Sequence, residues 1–243
     1  MARYFIEVSY KGSNYSGFQV QKNANSIQAE IEKALRLFFK ETFTLTGSSR
    51  TDAGVHALQN YFHFDSDIPI AEKKGFVYNL NSILPLDIVI KKIFQVDNNA
   101  HCRFDAISRE YKYYIFRNKN PFLQDRAFYY PYKIDIDELN EAAKLLMTYK
   151  DFTSFSKRNT QVKDFICNIK KSEWIEENET LIYNVEANRF LRGMVKGLVG
   201  TMLRVGTGKL ILNQFEEIIK ARDCTKADFS VDSKGLFLVS VNY

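Results

Sequence analysis

The order of strand and helix patterns limits the possible folds of this chain more than any other feature, because one order occurs twice. Apolar and polar side chains alternate over 3–10, as in a strand, and an apolar stripe at helical spacing follows over about 26–40. The other elements predicted for this half are strands over 42–46, 57–65 and 88–96, and a helix from Pro69 to about Ile83. The first half is therefore predicted to run β-α-β-β-α-β.

The second half repeats this order with one additional helix. Asp135 is a helix-capping residue in front of an amphipathic pattern, and the polar residues 176–178 form a turn between two strand patterns. The predicted elements are a strand over 111–117, a helix over 136–149, strands over 165–174 and 180–187, helices over 189–205 and 213–221, and a strand over 236–242. The second half is therefore predicted to run β-α-β-β-α-α-β.

Two successive split β-α-β units predict an α+β protein built from two ferredoxin-like halves. We expect antiparallel sheets packed as one body, with helices on one side and a cleft between the halves. No low-complexity linker separates the halves, and the polar residues 97–99 mark the boundary, so the predicted domains are 1–98 and 99–243. RNA-recognition modules and many unrelated enzymes share this architecture, so it does not assign a function by itself.

Cysteine content and hydropathy argue against several protein classes. Cys102, Cys167 and Cys224 are widely separated and odd in number, and no Cys-x-x-Cys occurs, so neither a disulfide framework nor a zinc site is indicated. No apolar stretch approaches the roughly 18 residues of a membrane span. The first residues also lack the apolar core of a secretory signal. We therefore expect a cytoplasmic protein that uses no metal and no membrane.

Charge is distributed unevenly along the chain. The net charge is only +5, but the three segments 101–133, 157–171 and 186–209 together hold seventeen basic and five acidic residues. If these segments meet in space, they form a basic surface that suits a polyanion such as nucleic acid. The alternative is that these side chains only solvate exposed helices and loops, and the charge alone does not decide between the two.

The segment 47–56 places a carboxylate near a guanidinium among small residues. Ala53 and Gly54 follow Asp52 and leave room for a substrate to approach its carboxylate. Arg50 is suited to hold a phosphate or to pair with a carboxylate. The competing interpretation is an Asp that only hydrogen-bonds its own turn, and the residue types alone favour that interpretation.

A basic stripe is predicted on the helix over 189–205. Arg189, Arg192 and Lys196 lie at i, i+3 and i+7, beside an apolar face of the same helix. Such a stripe is compatible with contacts to a polyanion and also with an ordinary solvated helix face. The second interpretation fits Arg192 better than Lys196.

The clearest motif is Arg-Thr-Asp-Ala-Gly-Val-His-Ala at 50–57, and it resembles the central motif of the tRNA pseudouridine synthase A family. Further segments resemble the family in the same order along the chain, at 10–19, 20–35, 81–85, 103–106, 109–113, 151–155, 190–200 and 235–239. The similarity therefore spans essentially the whole chain. Collinear motifs make it specific, whereas any one of them alone is a weak signal.

The resemblance implies an enzyme that isomerises uridine to pseudouridine in the anticodon stem-loop of tRNA, around nucleotides 38 to 40. It also implies a homodimer that uses no cofactor and no metal. Asp52 aligns with the nucleophile of the family, and Tyr111 aligns with the Tyr that stacks on the target base. Lys196 stands where the family has a basic residue, usually Arg, that pairs with the nucleophile. The remaining candidates are Arg50 for substrate binding and, for RNA binding, Arg109, Arg189 and Arg192.

On this interpretation the domain 1–98 carries the catalytic loop and the domain 99–243 carries the basic segments that face RNA, with the catalytic cleft between them. Strand periodicity alone does not choose the stacking ring, because Tyr113 shares a face with Tyr111. Only the resemblance selects Tyr111. Lys196 keeps the positive charge of an Arg but loses its bidentate geometry.

The expected chemistry needs no cofactor. The reaction breaks an N-glycosidic bond, turns the base and rejoins it through carbon, so it is neutral with respect to both redox and hydrolysis. A carboxylate can form a transient covalent bond or remove a ribose proton without a metal. The sequence does not say whether Asp52 attacks the base, attacks the sugar or acts as a base on the ribose.

Two other hypotheses stay open from the sequence. A non-catalytic tandem RNA-binding module accounts for the fold and the basic segments but leaves the motif around Asp52 unexplained. A glycosyl-transferring enzyme for small molecules accounts for the carboxylate but leaves the charge segregation unexplained.

Overall fold

The computed structural model describes residues 1–70, 75–158, 162 and 164–243, which form nine β-strands and five α-helices. The predicted α+β class is confirmed at this level, and the strand pairs are mostly antiparallel. None of the helices in these described ranges is long and apolar enough to span a membrane. By its contacts the chain divides into two compact units, Met1–Ile107 with Phe237–Tyr243, and Ser108–Leu236.

The first unit holds four antiparallel strands, the last strand of the chain and two helices. Its strands are β1 (Ala2–Tyr10), β2 (Thr46–Gly47), β3 (His56–Ser66), β4 (Ile88–Val96) and β9 (Leu236–Asn242), and its helices are α1 (Ile27–Phe39) and α2 (Phe76–Ile83). β1 lies between β4 and β3, and β2 pairs with the other edge of β3. β9 forms a short parallel pairing with the beginning of β3.

The core of this unit lies along β1 and beneath α1. Ile6 pairs with Phe62 of β3 on one side and with Ile93 of β4 on the other. Because β1 is a central strand covered on both faces, its buried residues run continuously instead of alternating. Ser26 caps the start of helix α1, because its side chain accepts a hydrogen bond from the backbone N–H of Ala29 at 3.2 Å. The helix buries the predicted apolar stripe, Ile27, Ile31 and Leu35.

The second unit holds a three-stranded antiparallel sheet, one short parallel strand and three helices. Its elements are β5 (Ser108–Phe116), β6 (Phe128–Tyr129), α3 (Ile136–Leu146), β7 (Ile169–Glu177), β8 (Thr180–Ala187), α4 (Met194–Gly206) and α5 (Leu212–Lys220). β8 lies between β7 and β5, and β6 pairs with the end of β5. Asp135 caps α3 as predicted, because its side chain accepts hydrogen bonds from the backbone N–H groups of Asp137 and Glu138.

Two predicted elements of the first half differ from the structure. The strand expected over 42–46 is reduced to β2, because side chains of α1 bind the backbone of Leu45. Glu32 accepts a hydrogen bond from the Leu45 N–H at 3.1 Å, and Gln28 donates one to its carbonyl at 2.9 Å. The helix expected from Pro69 begins at Phe76, and residues 71–74 lie outside the described part of the chain.

The predicted basic stripe on a helix over 189–205 is wrong. Helix α4 begins only at Met194, because Gly193 in front of it has a left-handed backbone with φ of 72°. Such a conformation favours glycine and interrupts a right-handed helix. Arg189 and Arg192 therefore lie on the loop over 188–193, and they share no helical face with Lys196.

The end of the chain belongs to the first unit. The backbone N–H of Ile107 donates to the carbonyl of Asn242 at 2.7 Å, and the Tyr243 hydroxyl donates to the carbonyl of Cys102 at 2.6 Å. The compact units therefore differ from the predicted domains 1–98 and 99–243 by assigning both 99–107 and Phe237–Tyr243 to the first unit. That these domains are two ferredoxin-like halves stays a prediction.

Candidate active site

Asp52 lies in the loop between β2 and β3 and is half-buried. The loop turns at this residue because the Asp52 carbonyl accepts a hydrogen bond from the Val55 N–H at 3.2 Å, and Gly54 takes a φ of 79°. The backbone, and not the Asp52 side chain, therefore closes the turn. Within the part of the chain that the structure describes, no side chain forms a hydrogen bond or an ion pair with the Asp52 carboxylate. The carboxylate is thus available to a substrate.

Buried hydrogen bonds hold the chain directly before Asp52. The Thr51 hydroxyl lies 2.8 Å from the Tyr10 hydroxyl, and Asn60 donates to that same Tyr10 hydroxyl at 3.0 Å. Asn60 also donates to the carbonyl of Ser49 at 2.9 Å. Because Asn60 is fully buried and Thr51 nearly so, these bonds are shielded from water. The network restricts the backbone that carries Asp52.

The opening loop of the chain, residues 11–26 between β1 and α1, packs against both sides of the Asp52 turn. The Phe18 N–H donates to the Thr51 carbonyl at 3.1 Å. The Gly12 N–H donates to Nδ1 of the buried His56 at 3.1 Å, so this ring nitrogen acts as an acceptor. A Cβ atom on Gly12 would lie only 2.0 Å from the carbonyl oxygen of Val55. Sequence reasoning missed this support, and the available signal was the pair of glycines, Gly12 and Gly17, within the segment 10–19.

Arg50 lies two positions before Asp52 in the same loop, and its side chain is exposed. Among the described residues, its guanidinium forms no hydrogen bond or ion pair. The structure therefore leaves both of its predicted uses open, because an exposed guanidinium can bind a phosphate or a carboxylate.

Tyr111 and Tyr113 have different surroundings on β5. Tyr111 is half-buried, and its ring meets that of Phe190 edge to face, with centroids 5.0 Å apart and an interplanar angle of 81°. Tyr113 is fully buried and donates its hydroxyl to the Asp232 carbonyl at 2.6 Å. Burial raises the pKa of the Tyr113 phenol above its usual value. Tyr113 is therefore a core residue, which removes the competitor that strand periodicity left beside Tyr111.

The loop over 188–193 brings three predicted RNA-binding residues together. Arg109 is largely buried and donates from Nη1 to the Asn188 carbonyl at 3.0 Å, so it ties this loop to β5. Arg189 forms an ion pair with Asp164 at 3.6 Å, and Arg192 is exposed. Arg109 thus contacts the loop, whereas Arg192 presents its charge to solvent.

Lys196 lies in the first turn of α4 and is half-buried. Its Nζ donates to the Ser233 hydroxyl at 3.3 Å, next to the short 3₁₀ turn over Ser233–Gly235. This contact orients the ammonium group within the second unit. The predicted site residues thus divide between the two units, with Arg50 and Asp52 in the first and the others in the second.

The cysteines and histidines do not form a metal centre. In the described ranges, no group of three or more His, Cys, Asp or Glu side chains is placed to hold a metal ion. The buried side chains of Cys102 and His63 are in contact, with Sγ and Nδ1 3.1 Å apart. Burial lowers the pKa of His63 to about 4, so the ring is neutral near pH 7.

Known proteins are similar to this chain over most of its sequence. The sequence model of a family described as tRNA pseudouridine synthase matches residues 6–105 and 142–243. The chain is 44% identical to tRNA pseudouridine synthase A of Parabacteroides distasonis over 243 residues, which cover 100% of this chain and 96% of that protein. It is 43% identical to tRNA pseudouridine synthase A of Bacteroides thetaiotaomicron, covering 100% and 91% of the two chains. The protein of that name from Staphylococcus aureus strain MRSA252 is 32% identical, with 98% and 91% covered.

Proposed function

We propose a mechanism for this chain, which belongs to the tRNA pseudouridine synthase family and isomerises uridine in tRNA to pseudouridine. In our proposal the target is a uridine of the anticodon stem-loop, around nucleotides 38 to 40, and Asp52 is the nucleophile. The observation that carries the proposal is the Asp52 carboxylate, which has no protein partner among the described residues while hydrogen bonds fix the residues around it. A reactive group needs this combination of access and fixed position.

The reaction balances without an added cofactor. The bond between N1 of uracil and C1′ of the ribose breaks, the base turns, a bond forms between C5 and C1′, and the C5 proton is lost while N1 gains one. Asp52 assists through a transient covalent bond or by removing a proton from the ribose. Both routes use the carboxylate in its ionised form, and both require that the detached uracil is retained.

Tyr111 is our candidate for retaining the base. A base inside a stem is flipped out before reaction, which costs a few kcal/mol. Stacking of the flipped base on an aromatic ring contributes roughly 1–3 kcal/mol of binding free energy, which offsets this cost. The half-buried ring of Tyr111, supported by Phe190, suits this role, and the fully buried ring of Tyr113 does not.

Basic side chains are proposed to bind the substrate around these two residues. Arg50 and Lys196 are the candidates for the target nucleotide, because both are accessible to solvent and positively charged. Arg192 and Arg189 are candidates for phosphate contacts, and Arg109 supports them by holding the loop over 188–193. Lys196 offers one point charge where an Arg would offer a planar fork.

The finer architecture is also part of the proposal. In the first unit the strand order β4-β1-β3-β2 and the interleaved helices α1 and α2 follow the ferredoxin-like pattern. In the second unit β5, β8 and β7 are neighbours in the corresponding order. These orders support two ferredoxin-like halves at 1–98 and 99–243. A homodimer, a cytoplasmic location and the absence of any cofactor remain expectations carried over from the resemblance and the composition.

The test is pseudouridine mapping on unmodified tRNA with uridine at 38, 39 and 40, under single-turnover conditions. We compare wild type, Asp52→Asn and the control Asp67→Asn, whose side chain is 75% exposed in the same unit. Asp52→Asn should bind tRNA like wild type and convert uridine at least about 10⁴-fold more slowly, because the nucleophile is lost. Asp67→Asn should convert normally.

Other outcomes have distinct meanings. Conversion by Asp52→Asn at a rate near wild type would contradict the role of Asp52 and keep the enzyme class. Wild-type protein that binds tRNA and modifies nothing would replace the synthase with the non-catalytic RNA-binding module. Conversion at uridines outside nucleotides 38 to 40 would contradict the proposed target and leave the chemistry intact.

A further inference from the structure

A cavity of about 220 Å³ lies within the second unit, and the proposed reaction assigns no role to it. Its walls come from β6 and the segment after it, from the C-terminal half of α4 and the turn after it, and from the segment 228–231. The aromatic and charged side chains that line it are Phe128, Tyr130, Tyr132, Arg204, Lys209 and Asp228. The cavity therefore combines aromatic rings with charges of both signs.

One wall is aromatic and partly open. Tyr130 and Tyr132 meet with ring centroids 4.8 Å apart, and Phe128 continues the row at 5.7 Å from Tyr130. Tyr132 is 55% exposed, so part of its ring is accessible to a ligand. The Nζ of Lys209 lies 5.5 Å from the centroid of the Tyr132 ring. The ammonium thus lies over one face of the Tyr132 ring, in the position of a cation–π contact.

The charged groups of the cavity are not paired with each other. Asp228 accepts a hydrogen bond from the Ser230 N–H through one carboxylate oxygen, at 2.8 Å. Across the described part of the chain, neither Asp228 nor Arg204 forms a salt bridge, although both line the same cavity. Opposite charges that line one cavity without forming an ion pair can bind a ligand that carries both a hydrogen-bond donor, for the carboxylate, and an anionic group, for the guanidinium.

The walls are held firmly. A Cβ atom on Gly200 would lie 2.2 Å from the carbonyl oxygen of Asp228, so the segment 228–231 packs directly on α4. Lys196, Gly200 and Arg204 are four residues apart on this helix and therefore lie on one face. The cavity thus continues the helix face that carries the substrate-binding candidate Lys196.

We propose that this cavity binds one unpaired nucleotide of the tRNA other than the target uridine. Its base stacks on Tyr132, its phosphate lies at Lys209 and Arg204, and an exocyclic amino group donates to Asp228. The cavity is smaller than the 300–1,000 Å³ typical of drug-sized ligands, which suits a single base. An anion alone would not use Asp228, and an apolar ligand would use neither charge. This inference rests on the proposed function, because it names a second contact on the same substrate.

The first test measures the Kd of unmodified tRNA for wild type, Tyr132→Ala, Tyr132→Phe and Tyr78→Ala. Loss of one base–aromatic stack should weaken binding about 5- to 150-fold in Tyr132→Ala. Tyr132→Phe keeps the ring and should bind like wild type. Tyr78→Ala removes an exposed ring of α2 that lies outside the basic segments and does not line the cavity, so it should also bind like wild type. A Tyr132→Ala protein that binds within twofold of wild type overturns the proposal.

The second test finds the nucleotide with tRNAs that carry one abasic site at each unpaired position in turn. At one position outside the target, the abasic site should weaken binding to wild type and have no effect on Tyr132→Ala, because the partner ring is already gone. Abasic sites that weaken both proteins equally at every position would contradict the proposal. If wild type converts uridine in these experiments, the proposed function stands whichever way the cavity test falls. If wild type neither binds nor converts tRNA, both proposals fail.

Discussion

The loop around Asp52 and the loop over 188–193 are both irregular segments that carry proposed functional residues, but they are held in different ways. Around Asp52 the anchoring groups are internal, because the Asn60 amide and the hydroxyls of Tyr10 and Thr51 form a buried network. The loop over 188–193 is held at its two ends by hydrogen bonds nearer the surface. The Arg109 guanidinium donates to the Asn188 carbonyl, and Asn188 and Asn168 bond each other. The Lys157 N–H donates to the Arg192 carbonyl, while the Arg192 side chain faces solvent.

The difference in how the two loops are held matches the roles proposed for them, nucleophilic attack by Asp52 and phosphate binding by Arg192. A nucleophile must be held within roughly 0.5 Å of its productive position, so the groups behind it need fixed hydrogen bonds. A cation that attracts phosphate works through an interaction that falls off slowly with distance, so its exact position matters less. The comparison predicts that changes behind Asp52 cost stability and rate, whereas changes at the loop over 188–193 cost tRNA affinity.

The largest expected effect is that of Gly12→Ala. The added Cβ would lie 2.0 Å from the backbone oxygen of Val55, and this backbone cannot shift without moving the Asp52 turn. We expect a loss of at least about 3 kcal/mol in the free energy of unfolding. Denaturant unfolding measures this, and the folded fraction should show a reduced single-turnover rate.

The control is Gly75→Ala. Among the described residues, and apart from its chain neighbours, no atom lies within 4 Å of a Cβ there, although φ is 75°. Its expected cost is about 1–2 kcal/mol, from the left-handed backbone alone. Equal losses in the two variants would show that the opening loop does not pack tightly against the Asp52 turn.

Asn60→Ala is the next prediction and separates positioning from general stability. It leaves the Ser49 carbonyl and the Tyr10 hydroxyl without the donor that Asn60 supplies, which costs about 2–3 kcal/mol of unfolding free energy. We also expect the single-turnover rate at saturating tRNA to fall at least about tenfold, measured well below the unfolding temperature.

Asn81→Ala is the matched control for stability without positioning. Asn81 also binds a backbone through both ends of its amide, that of Ile90, but in a different part of the same unit. It should lose stability and keep its rate. An Asn60→Ala protein that is destabilised but turns over at the wild-type rate would remove the positioning role of the network.

Arg192→Ala should have the smallest effect and tests the other side of the comparison. Because the side chain is exposed, stability should change by no more than about 0.5 kcal/mol. If Arg192 contacts a phosphate, the slope of log K against log salt for tRNA binding should decrease by about 1. Arg36→Ala, an exposed arginine of α1, should leave the slope unchanged. An unchanged slope for Arg192→Ala would assign it to the solvated surface.

Several parts of the fold could be predicted from local patterns. β4 and β9 follow their apolar patterns, and Asp135 begins α3 because a short acceptor side chain satisfies free N–H groups at a helix start. The prediction failed where a contact distant in sequence took over, as when Gln28 and Glu32 bind the backbone of Leu45. It also failed at Gly193, because the sequence shows a glycine but not the sign of its φ.

The amino-acid sequence by itself determined the α+β class and the motif around Asp52, because strand and helix periodicity and a contiguous motif are local properties. Only the tertiary structure decided that Tyr113 is a core residue and Tyr111 is accessible, since the two share one strand face and differ only in what packs above them. It also decided that Gly12, forty positions before Asp52, and Asn60, on the strand that follows the loop, hold this loop. Hydrogen bonds and close backbone approaches between distant segments leave no periodic signal in a sequence, which is why these roles required coordinates.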